Sequence, residues 1–221
     1  LCAGESSVYA ISNTTPGSVY RWTRPRLGLV TTGDTTSSQM TVRWSTAGRD
    51  TLLFRETNVN GCTVDRSLVI TVNPLPSVSV VGPATGCKGA MQTFSTGTLA
   101  SGTTIEWLAP RNGSIVGPNN NPAGVNIRWN TSGQDTIVAR ATSALGCITI
   151  SRYACVINDL PTLSITGNSS GCKNLLQPFA TANMAPAGSQ VQWSNPTRGS
   201  IIGSNTNVAG VNILWTSAGA D

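Results

Sequence analysis

The chain has 221 residues, a net charge of +5, 39% apolar residues and only 10% charged ones, so it can build real cores and is not a disordered polyelectrolyte. Its 23 Gly and 12 Pro, on a background rich in Thr, Ser and Asn, favour strands and turns over helices. Positive charge is scattered rather than gathered on one stripe, and no apolar run is long enough to cross a bilayer; nucleic-acid binding and membrane insertion are therefore not expected, while anionic surface polysaccharide is a partner the charge allows.

Taken in chain order, the elements repeat. Cys2, Cys87 and Cys172 are separated by 85 residues each; Trp22, Trp107 and Trp193 by 85 and 86, as are Trp44, Trp129 and Trp215. Gly48, Gly133 and Gly219 follow the same steps, each two residues before an Asp (Asp50, Asp135, Asp221). Gly61-Cys62 returns as Gly146-Cys147, Leu75-Pro76 as Leu160-Pro161, and Tyr9, Phe94 and Phe179 hold one aromatic position. So many rare residues in register define a tandem array with a period of about 85 residues. The modules are 1–74, 75–159 and 160–221. With Leu-Pro opening each module, the first lacks its first strand and the third its last strands. The expectation is a polypeptide continuing in both directions, or neighbouring chains completing the sandwiches by strand addition.

The second module is complete and serves as the pattern. Strands are predicted over 77–81, 91–96, 103–108, 113–117, 125–130, 136–141 and 148–157, each bounded by Gly, Pro, Asn or Ser. Seven short strands with turns about every ten residues read as a two-sheet, immunoglobulin-like sandwich, so the chain is all-β. Alternation places Trp107 with Ile105, and Trp129 with Ile127, on inward faces, one Trp from each sheet. Trp22, Trp44, Trp193 and Trp215 are the equivalent core positions. The joints 73–76 and 158–161 are short and carry prolines, hence semi-rigid.

Six Cys in a largely periodic pattern imply an oxidising compartment. The simplest pairing lies within modules, Cys2 with Cys62 and Cys87 with Cys147, each closing a loop worth roughly 4 kcal/mol. It carries a difficulty, since the two turns of each pair sit at opposite ends of a plain immunoglobulin sandwich. The alternative links consecutive modules, as Cys2 with Cys147. Cys172 is left unpaired within this chain. Cys155 stands at the position held by Ile70 and is expected to be a buried free thiol.

Much chemistry is excluded. The chain has no His, which rules out Ser-His-Asp and Cys-His sites. The nine acidic residues show no glycosidase-like pair, no phosphate loop lies between a strand and a helix, and no C-x-x-C spacing points to zinc. No catalytic residue, cofactor or metal is expected, and the protein is read as not an enzyme. The Gly-x-Asp-Thr segments 48–51 and 133–136 are read first as turns closed by Asp, with calcium binding and glycosylation as alternatives. Four Asn-x-Ser/Thr sequons begin at Asn13, Asn112, Asn130 and Asn168.

The residue order Cys87, Phe94, Trp107, Gly113-Ser114-Ile115, Trp129, Gly133-Gln134-Asp135, Gly146-Cys147, Leu160-Pro161 resembles that of the PKD-like, immunoglobulin-like repeats of very large surface proteins of Bacteroidota. The resemblance implies export by the type IX secretion system and display at the cell surface as long fibres that serve adhesion or, in gliding species, motility. It also implies O-glycosylation at Asp-Ser/Thr-apolar sites, making Thr51, Thr136 and Thr35 candidate acceptors. The leading expectation is a structural and adhesive stalk whose partners are neighbouring repeats of the same chain or identical chains. A filament subunit completed by strand exchange and a glycan-binding module of an exported enzyme are the competing readings.

Overall fold

A computed structural model describes residues 1–185 and 187–220, and every regular element in it is a β-strand. Contacts divide the chain into two compact units, Leu1–Asn158 and Asp159–Asp221, so the first two repeats share one unit. Asp221, third in the Gly-x-Asp series, lies outside the described residues.

The first repeat contains β1 (Ser6–Ala10), β2 (Val19–Trp22), β3 (Gly28–Thr32), β4 (Gln39–Trp44), β5 (Gly48–Thr57) and β6 (Thr63–Val72). They form two three-stranded sheets, β1-β4-β3 and β2-β5-β6. Between the sheets lies a core of Trp22, Met40, Val42, Trp44, Leu52, Ile70 and Val72.

The second repeat contains β7 (Val80–Val81), β8 (Thr85–Cys87), β9 (Met91–Thr96), β10 (Thr104–Leu108), β11 (Gly113–Val116), β12 (Val125–Trp129), β13 (Gly133–Thr142) and β14 (Ile148–Asn158). The sheets are β11-β12-β9-β7 and β10-β13-β14-β8. One element is added to those read from the sequence. The first strand shrinks to β7 in one sheet, and the chain then crosses to the other sheet as β8, which pairs in parallel with the end of β14. Gly82 permits the crossing, because a Cβ there would run into the Phe94 ring. Strict alternation puts Val125, Ile127 and Trp129 of β12 inside, against Ile105 and Trp107 of β10 in the facing sheet. Trp107 and Trp129 are fully enclosed, and each such side chain contributes roughly 2–3 kcal/mol of burial.

The second unit is a single four-stranded sheet, β15-β16-β18-β17, built from β15 (Thr162–Gly167), β16 (Leu176–Ala185), β17 (Gly199–Ile202) and β18 (Gly210–Trp215). Here the expectation of two core Trp residues is corrected. Trp193 lies outside any strand, and both Trp193 and Trp215 are half-buried. Among the described residues of this unit no second sheet covers them.

Candidate functional site: the joint between repeats

Two turns recur with the same hydrogen bonds, and each presents a cysteine. The first follows the leading Cys of each repeat. Gly4 N–H donates to the Trp44 carbonyl and Glu5 N–H to the Cys2 carbonyl; Gly89 donates to Trp129 and Ala90 to Cys87; Asn174 donates to Trp215 and Leu175 to Cys172. The residue two after the Cys needs a positive φ: Gly4 at 92°, Gly89 at 84° and, in the third repeat, Asn174 at 64°. In the first two repeats the Cys is also tied to the end of the last strand. Ala3 N–H donates to Asn73 O, and Lys88 N–H to Asn158 O.

The second turn joins the two long strands of the β5–β6 and β13–β14 hairpins. Asn58 N–H donates to Cys62 O and Gly61 N–H to Asn58 O; Ser143 N–H donates to Cys147 O and Gly146 N–H to Ser143 O. A side-chain oxygen at the turn's first residue accepts the Cys N–H, Asn58 Oδ1 from Cys62 and Ser143 Oγ from Cys147. Gly61 and Gly146 hold φ of 79° and 81°.

One cystine forms across these frames. Cys2 is bonded to Cys147, with Cα atoms 5.6 Å apart. Both sulfurs are enclosed: Cys147 is 0% exposed and Cys2 9%. The pairings Cys2–Cys62 and Cys87–Cys147 are thereby overturned, and strand length is the reason. Cys147 immediately precedes β14, and Cys87 sits opposite Asn158 at the other end of it. The 11 residues between span about 35 Å, whereas a cystine needs Cα atoms within about 7 Å. β6 separates Cys62 from Cys2 in the same way. Cys2 therefore lies at the exit of its own module, where it meets the hairpin turn of the second.

Cys62, Cys87 and Cys172 are free and exposed; Cys155 is free and buried. Burial pushes the Cys155 thiol up, with a smaller push from the Asp135 carboxylate.

The Gly-x-Asp segments act as pins. Asp50 is buried. Its carboxylate accepts the N–H groups of Arg26 and Leu27, 2.7 and 3.0 Å away in the β2–β3 loop, and that of Thr51 at 2.8 Å. Asp135 repeats this with Arg111, Asn112 and Thr136. Burial alone would raise the Asp50 pKa, but the Leu27, Thr51 and Arg26 N–H donors and the Arg26 charge hold it below the ordinary value. Among the described residues no three His, Cys, Asp or Glu side chains gather in a set that could hold a metal ion. Thr51 and Thr136 are exposed on β5 and β13; Thr35 is half-buried, and its carbonyl accepts from Trp22 N–H. The Asn112 amide is occupied by Gln134 and Thr131.

Sequence reading missed the partners of the Trp indoles. The first Trp of each repeat donates to a loop carbonyl: Trp22 to Ser37, Trp107 to Asn121, Trp193 to Asn207. The second donates to Gln92 in the case of Trp129 and to Gln177 in the case of Trp215, both at 2.7 Å. The first repeat has Ser7 where the others have Gln, and there Trp44 donates to the Tyr9 hydroxyl at 3.1 Å. Each second Trp also meets its aromatic neighbour edge-on, Tyr9, Phe94 or Phe179, with centroids 6.2–6.3 Å apart. The signal was present in the sequence as Gln two residues before Phe in repeats two and three, with Tyr replacing Phe where that Gln is lost.

Sheets, core and topology define the first two repeats as immunoglobulin-like β-sandwiches in tandem. Residues 1–72 match the model of a family described as PKD-like domain. No curated protein matches the chain. Solved structures similar to it include the fibronectin(III)-like modules of Clostridium thermocellum CbhA (13% identity, 71% of this chain and 87% of that one, TM-score 0.34). A putative membrane-anchored protein from Corynebacterium diphtheriae (10%, 97% and 76%, 0.32) and a marsupial T cell receptor (11%, 97% and 90%, 0.39) are also similar. All are remote likenesses in fold. The chain is thus a tandem array of immunoglobulin-like modules, the first of which matches a PKD-like domain.

Proposed function

We propose that the chain is a run of stalk repeats in a fibre or adhesin displayed at the cell surface, without catalytic function. The observation that carries this reading is the cystine that crosses from one sandwich to the next. A cystine needs an oxidising compartment, and here it reinforces a joint rather than closing a catalytic cleft. The absence of His and the use of the acidic Gly-x-Asp side chains as backbone pins support a non-catalytic role. Its partners are neighbouring repeats of the same or identical chains, with surface polysaccharide as a weaker contact for the scattered positive charge. The finer reading, a Bacteroidota protein exported by type IX secretion and glycosylated at Thr51 and Thr136, rests on the resemblance in residue order. The exposure of both threonines supports it.

An antibody raised against the chain tests the proposal on intact source cells. Surface labelling without permeabilisation, with hexose-bearing Thr51 and Thr136 peptides by mass spectrometry, is the expected result. Labelling only after permeabilisation overturns the extracellular reading; surface labelling with bare threonines overturns the glycosylation alone.

A further inference from the structure

Four cysteines remain outside the one cystine, and the three exposed ones, Cys62, Cys87 and Cys172, are not ordinary lone thiols. Cys87 and Cys172 occupy the turn that holds Cys2, with the same backbone bonds back to the second Trp and to the Cys carbonyl. Cys62 occupies the hairpin turn that holds Cys147, with the same bonds across the turn. What differs is cover. Cys2 and Cys147 are enclosed by each other's module, whereas Cys62, Cys87 and Cys172 are exposed. Cys62 and Cys87 also stand at the outer ends of the two-module unit, each separated from the joint by the full length of β6 or β14. They are placed to meet further modules and not each other.

We infer that Cys62, Cys87 and Cys172 are half-cystines of further joints of the Cys2–Cys147 kind, so that every joint of the array carries one cystine in a fixed polarity. The leading Cys of a module bonds to the Gly-Cys hairpin turn of the module that follows it. Cys87 and Cys172 therefore take a Gly-Cys turn as partner, and Cys62 takes a leading-Cys turn with Gly or Asn two residues on. The partner module belongs to the same polypeptide or to a second copy; the chemistry is shared. Each bond forms by thiol–disulfide exchange with an exported dithiol oxidoreductase in its disulfide form. One thiolate opens the enzyme's disulfide, and the second displaces the enzyme from the mixed disulfide. Two thiols lose two protons and two electrons, and the oxidoreductase leaves as a dithiol. Cys155 is not a member, being buried between its own sheets.

The inference rests on the extracellular reading above, and one experiment separates the two. Natural protein is extracted without reductant, quenched with N-ethylmaleimide, digested and mapped for disulfide-linked peptides. The expected map shows Cys2–Cys147, Cys87 and Cys172 each bonded to a Gly-Cys peptide, and Cys62 bonded to a leading-Cys peptide. A reduced mass below the unreduced mass assigns the partner to a second copy; equal masses assign it to the same polypeptide. Intact Cys2–Cys147 beside alkylated Cys62, Cys87 and Cys172 overturns the inference and leaves the extracellular reading standing. Like-with-like pairs such as Cys62–Cys62 overturn the polarity. Alkylation of Cys2 and Cys147 as well overturns both.

Discussion

At the scale of single residues, the second Trp of each repeat is held by one hydrogen bond, to Gln in the second and third repeats and to Tyr9 in the first. Tyr9→Phe removes the acceptor of the buried Trp44 indole. The expected cost is about 1–3 kcal/mol, the desolvation of an orphaned donor. Adding Ser7→Gln restores most of it, because residue 7 pairs with Val42 as Gln92 pairs with Ile127. Urea unfolding followed by Trp fluorescence reads both; failure of the second substitution to rescue would show that Tyr9 acts through packing alone. Asp50 gives a pH signature. Its folded pKa is depressed, so its contribution is fully present above the ordinary value near ~3.9 and disappears as pH falls through the folded value. Asp50→Asn is expected to lose about 1–3 kcal/mol at pH 6, with the gap to wild type narrowing as pH falls below the ordinary carboxylate range. A gap independent of pH would place the effect in the shape of the side chain rather than its charge.

At the scale of elements, the strands were legible because the period of two is unbroken where a sandwich closes over them, as in β12. What the sequence did not disclose was β8 and the orientation it imposes. A three-residue strand has too little pattern to be seen, and a crossing between sheets depends on tertiary contact, here Gly82 against the Phe94 ring. Missing β8 meant missing that Cys87 lies against the far end of β14, and so choosing the wrong cystine. The Trp193 strand failed for the opposite reason, since its pattern was present but no facing sheet lies among the described residues of its unit. Glycine spacing is a sharper test of the same packing. Gly113 sits across from Trp129, where a Cβ would lie 2.9 Å from both the Arg128 carbonyl and the Trp129 ring. Gly113→Val is expected to cost about 1–3 kcal/mol, while Gly97→Ala, which meets nothing within 4 Å, stays within about 0.5 kcal/mol.

At the scale of the whole molecule, the cysteines sort by environment. In the natively folded protein treated first with a mild reductant to open any bonds of the exposed Cys62, Cys87 and Cys172, iodoacetamide is expected to modify those three within minutes and to leave Cys155 untouched until the protein unfolds. Burial and the nearby Asp135 charge both keep Cys155 a thiol. Modification of Cys155 at native-state rates would contradict its enclosure. Cys2→Ser is expected to preserve both sandwich cores, because neither cluster includes a bonded cysteine. It frees the joint, which limited proteolysis within 73–76 would report as faster cleavage than in wild type.

The cystine also decides how the chain responds to being pulled. Residues 2 and 147 are joined covalently across a sequence separation of 145. Tension applied at the two termini runs through the sulfur bridge, and everything between those residues hangs as a slack loop. In this chain by itself, melting within the 2–147 loop adds no length between the termini, so the bridge withholds about 50 nm of extension. A single-molecule stretch should reveal that length only after a reductant is added, which makes the first two repeats a tether of fixed reach rather than a spring.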